Sequence, residues 1–384
     1  MTDVVIAGGG PAGALTALLL ARGGARVQVF ERATFPRHKL CGDTLNPGAV
    51  AVLARHLDLA PLMAQSDPID GMLITGPRGV RVQGRYPSGL AGRAVTRRVL
   101  DHWLLSQAAQ AGARIDEGAT VKSVTFEAGA IDGVMVLRRN GGPAIEHARL
   151  VVAADGRRSA LAFGRGLSRQ PARPRRWAIG AYFTDVEGMT SSGEMHIRDG
   201  HYIGVAPVPG GLANVCLVVP HQPGSGSLLA PRELVARLFA DPELAARFSR
   251  ARLVDSPVML GPMAVDSDAA GEPGLLLAGD AAGFIDPMTG DGLRLALASA
   301  EMAARVALEV LAGRLSPVRA HHELLAERQS AFGPKWRFNR TLRSLVASPR
   351  GVVGAAAAAR VVPSLFEWMV RYAGDCHATT EAFV

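Results

Sequence analysis

Hydrophobic residues at the start of the chain predict a strand, a helix and a second strand in quick succession. Val4 to Ala7 form an apolar run of the length of a buried strand, and a glycine-rich turn follows. Ala14 to Arg22 form a longer apolar run that ends at Gly23-Gly24, which favours a helix. Arg26 to Phe30 are predicted as a second strand, ending at Glu31-Arg32. Together these segments predict one βαβ unit.

Similar patterns continue along the chain. Apolar positions three or four residues apart favour helices, and alternating or short continuous apolar runs favour strands. Asn140-Gly141-Gly142 is typical of a hairpin turn. The predicted helices are Asn46 to Leu57, Thr96 to Ala111, Pro231 to Arg250 and Asp291 to Ala312, with a mostly helical remainder from Ser316 onwards. The predicted strands are Ala113 to Val124, Ile131 to Leu137, Leu150 to Ala154, Glu194 to Arg198, Asn214 to Val219 and Leu275 to Leu277, with further short strands between Gly71 and Leu90.

The chain is basic, with a net charge of +8 over 384 residues, a length that suits about two domains. Such a charge can indicate nucleic-acid binding. The basic residues are almost all arginines scattered along the chain, and no RNA-binding aromatic motif accompanies them. We therefore expect no nucleic-acid partner. An arginine-rich codon preference, attraction of an anionic cofactor, or contact with a membrane surface would each explain the charge.

Cysteine usage indicates a reducing compartment. Cys41, Cys216 and Cys376 are too few and too far apart for a disulfide framework or a zinc site, so we expect no metal. The structured pattern begins at Asp3, which leaves no room for a charged leader. The sequence therefore predicts a cytoplasmic protein.

The C-terminal region predicts no spanning helix. A spanning helix needs roughly 18 uninterrupted apolar residues, and the closest stretch, Gly351 to Val370, is broken by Arg360 and Pro363. This stretch could still lie on a membrane surface or form a lid. Four aromatic residues of the region are predicted as packing residues: Trp336, Phe338, Trp368 and Tyr372.

The glycine-rich turn has the spacing of a dinucleotide-binding motif. One glycine allows a sharp turn, one lets the backbone approach a pyrophosphate, and one lets the helix pack closely on the strand. The helix N-terminus then faces the phosphates. Glu31 can accept hydrogen bonds from ribose hydroxyls and disfavours a 2′-phosphate, so NADP is not predicted as the resident nucleotide. The candidate residues here are Gly8, Gly10, Ala12, Gly13, Glu31 and Arg32.

Two later segments indicate which dinucleotide is bound. Asp155-Gly156 and Asp280 follow short predicted strands, where a carboxylate can bind the hydroxyls of a sugar alcohol. Gly290 and Gly292 then present N–H groups at the start of a helix, which could stabilise negative charge on a reduced flavin ring. A simple nicotinamide enzyme needs no such second site. The segments therefore favour FAD.

With these segments, the sequence resembles FAD-dependent oxidoreductases of the geranylgeranyl reductase and group A flavin monooxygenase superfamily. The resemblance rests on the glycine turn with Glu31-Arg32, on Val95 to Asp101, on Ala154-Asp155-Gly156 and on Gly279-Asp280 through Gly292. It implies that Arg97 contacts FAD and that the backbone at Val121 meets the adenine. It also implies that FAD is bound tightly but non-covalently, with NAD(P)H as a transient electron donor.

A further segment, Pro36 to Asp43, narrows the branch of the superfamily. It resembles the Lys-x-Cys-Gly-acid segment of geranylgeranyl reductases, which implies that Lys39, Cys41 and Gly42 lie beside the isoalloxazine ring. The alternative for Cys41 is a small residue buried in a turn. A nucleophilic role is not predicted, because His38 is the only evident base nearby.

One segment departs from the family's pattern. Where geranylgeranyl reductases carry aromatic-x-Trp-x-Phe-Pro, this chain has Tyr202-Ile203-Gly204-Val205-Ala206-Pro207. Tyr202, Gly204 and Ala206 are thus candidate substrate-binding residues, and two large side chains are missing where a prenyl chain would be held. The resulting space suits a bulkier or ring-shaped substrate. The lysine and the Trp-x-Trp-x-Ile-Pro segment of the related halogenases are also absent, which argues against halogenation.

The order of these segments predicts an α/β protein with interleaved domains. A Rossmann-like FAD-binding domain of the glutathione-reductase type is expected over residues 1–70, 95–165 and 262–325. A β-sheet substrate-binding domain is expected over residues 71–94 and 166–261. Residues 326–384 are expected to form a C-terminal helical segment.

Three functions stay open on the sequence. The favoured one is an NAD(P)H-dependent monooxygenase, of the hydroxylase or epoxidase type, acting on an apolar or aromatic small molecule. The alternatives are a geranylgeranyl-reductase-like enzyme that reduces C=C bonds of an isoprenoid or other lipid, and a flavin electron-transfer protein. Flavin chemistry needs no dedicated triad, so no catalytic side chain is assigned. The sequence predicts no particular oligomeric state.

Overall fold

The computed structural model describes residues 2–127, 129–172, 176–220, 232–284, 287–346 and 348–376. The strands in these ranges are β1 Thr2–Ala7, β2 Val27–Glu31, β3 Thr44–Leu45, β4 Asp67–Ile69, β5 Gly71–Gly76, β6 Val80–Arg85, β7 Gly92–Ala94, β8 Arg114–Glu117, β9 Ala119–Glu127, β10 Ala130–Arg138, β11 Pro143–Ala153, β12 Ser168–Arg169, β13 Arg176–Thr184, β14 Ser192–Arg198, β15 His201–Val208, β16 Leu212–Pro220, β17 Arg252–Leu253, β18 Val258–Leu260, β19 Asp266–Ser267, β20 Gly271–Glu272 and β21 Leu275–Leu277.

The helices in the same ranges are α1 Pro11–Arg22, α2 Pro47–Ala54, α3 Ala60–Met63, α4 Arg97–Gln110, α5 Ala160–Gly164, α6 Arg232–Ala240, α7 Pro242–Arg247, α8 Gly292–Leu311, α9 Pro317–Val346, α10 Pro349–Val361 and α11 Pro363–Ala373. Three short 3₁₀ turns add Pro77–Gly79, Gly279–Ala282 and Pro287–Thr289.

Strand β1 lies at the centre of a parallel sheet. It pairs with β11 on one side and β2 on the other, so that Val5 lies opposite both Val151 and Gln28. Strands β21 and β8 extend the two sides, also in parallel, in the order β20-β21-β11-β1-β2-β8. The predicted βαβ unit and the α/β fold class are thereby confirmed.

Both faces of this sheet are buried, which explains the continuous apolar runs in its strands. Val4 and Ile6 of β1 belong to a core cluster with residues of helices α1, α4 and α8. Val5 and Ala7 point to the other face, where they pack with residues of β9, β10 and α5. Because successive strand residues point to opposite faces, one six-residue strand contributes to both cores.

A second sheet is mainly antiparallel, in the order β17-β13-β16-β15-β14-β5-β6. On one face, Phe183 of β13 packs edge-on against Phe248, which follows α7, with ring centroids 5.3 Å apart. The opposite face carries Ala178, Tyr202 and Val218, which pack with Met288. We call this opposite face the inner face of the second sheet.

The C-terminal helices cover part of the inner face. Phe366 and Val370 of α11 form a small core with Met72 of β5 and with residues of β6. Helix α10 adds Val352 to the cluster that contains Tyr202. The helical remainder predicted after Ser316 is confirmed as far as residue 373, and residues 377–384 lie outside the described ranges.

No helix among the described residues combines the length and the apolar character that crossing a bilayer requires.

Some predicted elements have the wrong bounds. The single helix predicted over Pro231 to Arg250 is two helices, because Asp241 caps the second one by accepting hydrogen bonds from the backbone N–H groups of residues 243 and 244 at 3.0 and 3.1 Å. Pro231 itself lies outside the described residues. The strand predicted over Ala113 to Val124 is interrupted at Gly118, where a φ of +71° separates β8 from β9. Helix α1 begins at Pro11, three residues earlier than its apolar run suggests.

Candidate active site

The glycine turn between β1 and α1 admits no side chains at two positions. A Cβ on Gly8, where φ is +99°, would lie 2.6 Å from the carbonyl oxygen of Ala154, and a Cβ on Gly13 would lie 1.8 Å from that of Gly8. Gly10 occupies the N-cap of α1 without a side-chain cap, so the first-turn N–H groups of the helix stay available to an anion. The turn therefore has the close backbone approach that pyrophosphate binding requires.

Glu31 holds the glycine turn in place at the end of β2. Its carboxylate is buried and accepts hydrogen bonds from the backbone N–H groups of Gly9 at 2.8 Å and Ala33 at 2.9 Å. The predicted ribose-binding acid thus also supports the turn.

A cleft of about 450 Å³ adjoins Glu31 and brings together five of the predicted FAD residues. They come from the glycine turn, the ends of β2 and β11, and strand β9, and they are Gly8, Glu31, Arg32, Val121 and Asp155. The cleft lies where the resemblance places the adenosine half of FAD.

Asp155 offers an acceptor that the described residues do not use. Its Oδ2 accepts a hydrogen bond from the backbone N–H of Ala160 at 2.8 Å, whereas its Oδ1 is buried without a hydrogen-bond partner in the described chain. Burial raises the pKa of this carboxyl group. An orphaned acceptor beside a glycine cradle fits a hydroxyl-bearing dinucleotide, so the residues present fit FAD.

The segment that begins at Gly279 meets the glycine turn directly. A Cβ on Gly279 would lie 2.8 Å from the Cβ of Ala12, which stands in the first turn of α1. Asp280 follows at once, and burial raises its pKa even though Lys39 and Arg97 are close enough to oppose that shift. Residues 285 and 286 of this segment lie outside the described ranges.

Lys39 lies beside the Asp155-Gly156 turn. Its Nζ would be 3.9 Å from a Cβ on Gly156, and the residue is exposed to solvent. Desolvation, and then the nearby charge of Arg97, lower the pKa of Lys39 to about 8, despite the carboxylate of Asp280. The predicted residues Lys39, Gly156 and Asp280 therefore lie close together. Gly42, by contrast, faces open space.

Arg97 is held by a carboxylate at the start of α4. Its Nε and Nη2 donate to the two oxygens of Asp101 at 2.7 and 2.8 Å, and both side chains are buried. Arg37 also pairs with Asp101, at 3.0 Å, and its Nη2 would lie 3.8 Å from a Cβ on Gly10. Arg37 was missed by the sequence reasoning, although it stands two residues before Lys39. Contact of Arg97 with FAD stays a prediction.

Asp43 is the centre of a buried polar cluster that the sequence did not reveal. Its side chain accepts hydrogen bonds from the Tyr182 hydroxyl and from Nδ2 of Asn214 at 2.7 Å, and from the backbone N–H of Arg97 at 3.1 Å. Burial raises the pKa of Asp43 to about 6, although these hydrogen bonds oppose the shift. Burial and the charge of Asp43 together raise the pKa of Tyr182 far above its ordinary value.

This cluster connects the Lys-x-Cys-Gly-acid segment to the second sheet. Nδ2 of Asn214 also donates to the carbonyl oxygen of Cys41 at 2.7 Å. Leu40 packs over Gly180 of β13, where a Cβ would lie 2.2 Å from it. Cys41 is half-buried. The segment predicted to lie beside the isoalloxazine ring is thus fixed to the inner face.

The three candidate substrate residues alternate along β15 and share the inner face. Tyr202 is buried among packing residues rather than open to a ligand. Gly204 pairs with Met195 and Cys216, and a Cβ there would meet only backbone oxygens, at 3.8 and 3.9 Å. Ala206 pairs with Asn214. No side chain therefore lies within 4 Å of a Cβ at Gly204, and the next inner-face position of β15, Ala206, lies opposite Asn214 of the Asp43 cluster.

Asp291, between Gly290 and Gly292, connects the loop that precedes α8 to the C-terminal helices. Asp291 is buried; its carboxylate accepts a hydrogen bond from Nδ2 of Asn339 at 3.1 Å and pairs with Nζ of Lys335 at 3.3 Å. Burial raises the pKa of Asp291 to about 6. Gly290 has a φ of +69° and Gly292 is the first residue of α8.

Arg328 of α9 braces the other side of this loop. It is buried and donates to the carbonyl oxygen of Ala282 at 2.9 Å and to Oγ of Ser299 at 2.5 Å. Ser299 in turn accepts from the backbone N–H of Gly279 at 3.1 Å. Burial lowers the pKa of Arg328 to about 10.

Comparison with protein families and curated proteins agrees with this geometry. The chain matches the model of a family described as FAD binding domain over residues 1–335. It is 32% identical over 325 residues to a menaquinone reductase of Mycolicibacterium smegmatis, covering 79% of this chain and 76% of that protein. It is 29% identical over 318 residues to a digeranylgeranylglycerophospholipid reductase of Methanoculleus marisnigri, covering 81% and 77%.

Solved structures share the fold. The flavin-dependent brominase Bmp2 superposes with a TM-score of 0.85 at 21% identity, covering 98% of this chain and 94% of that one. The myxobacterial chondrochloren halogenase CndH, described as a variant of FAD-dependent halogenases, superposes with a TM-score of 0.78 at 25% identity, covering 88% and 81%.

Proposed function

The chain belongs to the FAD binding domain family, and from that premise we propose that it is an NAD(P)H-dependent monooxygenase acting on an apolar, hydroxyl-bearing aromatic molecule. The balanced reaction would be substrate, O₂, NAD(P)H and a proton giving hydroxylated product, water and NAD(P)⁺. Bound FAD would supply the transfer of two electrons and the activation of O₂. The protein would bind the substrate, exclude water and move one proton.

The residues that would hold FAD fall into two groups. The glycine turn and Glu31 would hold the adenosine and pyrophosphate, with Asp155 as the unused acceptor. Asp280 and the loop at Gly290 would hold the remainder, next to Lys39.

The observation that carries the oxygenase proposal is the hydrogen-bond direction at Tyr182. Its hydroxyl donates to Asp43, and its pKa is raised, so Tyr182 is a weak proton donor. A C=C reductase has to protonate one carbon after hydride reaches the other, which this pair does not favour. A carboxylate with a pKa near 6 suits a proton acceptor at neutral pH. As Tyr182 passes its own proton to Asp43, its oxygen can take up the proton of a ring hydroxyl, which activates that ring.

The shape of the inner face supports a ring rather than a narrow chain. Gly204 leaves space in the middle strand of the face, and Ala206 lies between it and the Asp43 cluster. A pocket that is wide and apolar, with a few polar groups at one end, holds a planar molecule in one orientation. The polar end here is the pair of Tyr182 and Asn214.

A reductase is the second candidate, because two sequence relatives carry that name. At 32% and 29% identity, they are described as a menaquinone reductase and a digeranylgeranylglycerophospholipid reductase. This reading would place a C=C bond, rather than a ring hydroxyl, above Gly204.

Oxygen uptake separates the two candidates. The purified holoprotein would be given NAD(P)H and a panel of hydroxylated aromatic compounds, with isoprenoid quinones as the comparison substrates. We expect substrate-stimulated O₂ consumption and a product that carries one ¹⁸O atom from ¹⁸O₂. Product formed without oxygen, and heavier by two hydrogens, would establish the reductase instead. NAD(P)H oxidation that no organic substrate stimulates would contradict both.

A further inference from the structure

Helix α11 carries both buried and exposed apolar side chains. Its residues Phe366 and Val370 are buried against the second sheet. Val362, which precedes the helix, and Leu365 and Trp368 are 47%, 43% and 47% exposed. Leu365 and Trp368 are three residues apart and therefore neighbours on the helix surface, and we call them, with Val362, the apolar stripe. Large apolar side chains exposed together on a folded protein indicate a surface that meets a partner.

Helix α9 extends this stripe. The Phe338 ring contacts Trp368 and Tyr372, with centroids 6.1 and 4.8 Å apart. Leu345 follows Phe338 by seven residues, so it lies on the same side of α9, and it is 36% exposed. We call Leu345, Val362, Leu365 and Trp368 the C-terminal apolar patch.

The charges around this patch have one sign. Residues 334–373 contain seven basic side chains and one acidic side chain, Glu367. Arg337, Arg340 and Arg350 are exposed and take part in no ion pair within the described chain, whereas Arg371 pairs with Glu367 at 3.8 Å. An apolar stripe containing a tryptophan and bordered by unpaired arginines matches a bilayer interface with anionic headgroups.

We propose that the C-terminal apolar patch docks this protein peripherally on an anionic lipid surface. The leading alternative occupant, a second copy of the chain, would bring the unpaired arginines of two copies together, which like-charge repulsion opposes. The proposal goes beyond the proposed reaction and does not depend on it, because lipid binding is measured without turnover.

The same helices also close the candidate substrate space. Val352 of α10 lies 2.8 Å from where a Cβ of Gly76 would stand, and it packs in the inner-face cluster with Met195 and Tyr202. Docking by this patch therefore places the helices that cover the inner face against lipid.

Vesicle binding tests the proposal. The holoprotein would be sedimented with phosphatidylcholine vesicles and with vesicles that also contain phosphatidylglycerol. We expect binding to the anionic vesicles, weakened by added salt. Leu365→Glu with Trp368→Glu should lower the partition coefficient by at least about tenfold. Arg337→Gln with Arg340→Gln should lower it by roughly tenfold on anionic vesicles only.

A matched control exists on the first sheet. Ile145 is 54% exposed and apolar, but nearby Arg138 is paired with Asp116 and Glu146. Ile145→Glu should bind vesicles as the unchanged protein does, and all variants should retain FAD. The proposal is overturned if the unchanged protein ignores anionic vesicles or if the Leu365 and Trp368 variant binds as well. It is also overturned if the patch variant only converts a dimer into a monomer.

Discussion

At the scale of single residues, Asp43 determines how we expect the proposed reaction to depend on pH. Its pKa is raised to about 6 from an ordinary value of 3.8, so the buried carboxyl group holds its proton to a higher pH than a solvated one. A proton acceptor works only when ionised. Substrate-stimulated NAD(P)H oxidation should therefore rise as the pH increases through about 6 and fall below it. Asp43→Asn should remove this limb of the pH profile and lower kcat by about a hundredfold.

Tyr182 provides the companion test. Tyr182→Phe removes the hydroxyl that lies between Asp43 and the inner face, so kcat should fall while FAD content stays unchanged. Tyr86→Phe is the matched control, because Tyr86 packs against Phe366 of α11 rather than against Asp43. A Tyr182→Phe variant with an unaltered pH profile would remove Asp43 from the proposed mechanism.

The partners of Asp43 show what a sequence does not reveal. Asp43 closes a recognisable Lys-x-Cys-Gly-acid segment, so its neighbourhood could be predicted. Tyr182 and Asn214, however, lie 139 and 171 residues further along the chain. Strand periodicity predicts which face a residue occupies but not which loop that face will meet. The sequence therefore indicated Asp43 but not the Tyr182 and Asn214 side chains that donate hydrogen bonds to it.

At the scale of elements, the close contact between β1 and α1 predicts the effect of a substitution at Gly13. Any Cβ at Gly13 would lie 1.8 Å from the Gly8 carbonyl oxygen, so Gly13→Ala has to push α1 away from the turn. We expect the variant to purify with little or no flavin absorbance. Gly164→Ala, at the end of α5 where nothing lies within 4 Å, should bind FAD normally. A flavin-loaded Gly13→Ala protein would contradict this account.

The geometry of this junction could be predicted from the sequence, whereas the partners of Asp43 could not. The strand, turn and helix are contiguous in sequence, so the spacing of three glycines already specifies their geometry. The two later acids could also be anticipated, because carboxyl ends of parallel strands gather at one edge of a sheet. Arg328 left no such signal, since it is one of five arginines in a helix of thirty residues and nothing in the sequence distinguishes it from the others.

Lys335 joins three elements, and its removal should destabilise the protein. It pairs with Asp291 at 3.3 Å and Asp375 at 3.1 Å, and it donates to the carbonyl oxygen of Ala373 at 3.1 Å. Lys335→Met leaves the buried Asp291 carboxylate without its cation and removes one of the two cations beside the half-buried Asp375, which should cost about 3 kcal/mol of unfolding free energy. Chemical denaturation measures this. Lys122→Met, at an exposed strand position, should show no comparable loss.

At the scale of the whole molecule, the substrate space depends on the second sheet and the C-terminal helices together. Gly204→Trp should place a large side chain on the inner face, where a Cβ would meet no atom closer than 3.8 Å. We expect stability and FAD content to be preserved while KM for a ring-shaped substrate rises about tenfold or more. Gly141→Trp, in the exposed hairpin turn, is the control. Unchanged kinetics for Gly204→Trp would show that the substrate binds elsewhere.

The sequence indicated the overall organisation of the chain more readily than the pairing of its strands. Chain order indicated nucleotide-binding segments around a β-rich insert, and β5 and β6 do share a sheet with β13 to β18. The parallel pairing of β14 with β5 could not be read from either strand alone. The proposed domain limits stay predictions.

The contact between Lys335 and the last turns of the chain also has a consequence for biogenesis. The glycine turn is made within the first few residues, but Asp291, which lies between Gly290 and Gly292, is bridged through Lys335 to Asp375. A nascent chain emerging from its N-terminus presents the nucleotide-binding half long before it can complete the other half. Flavin capture would thus be a late step of maturation, and ribosome-stalled chains ending before residue 375 should hold their cofactor more weakly than released ones.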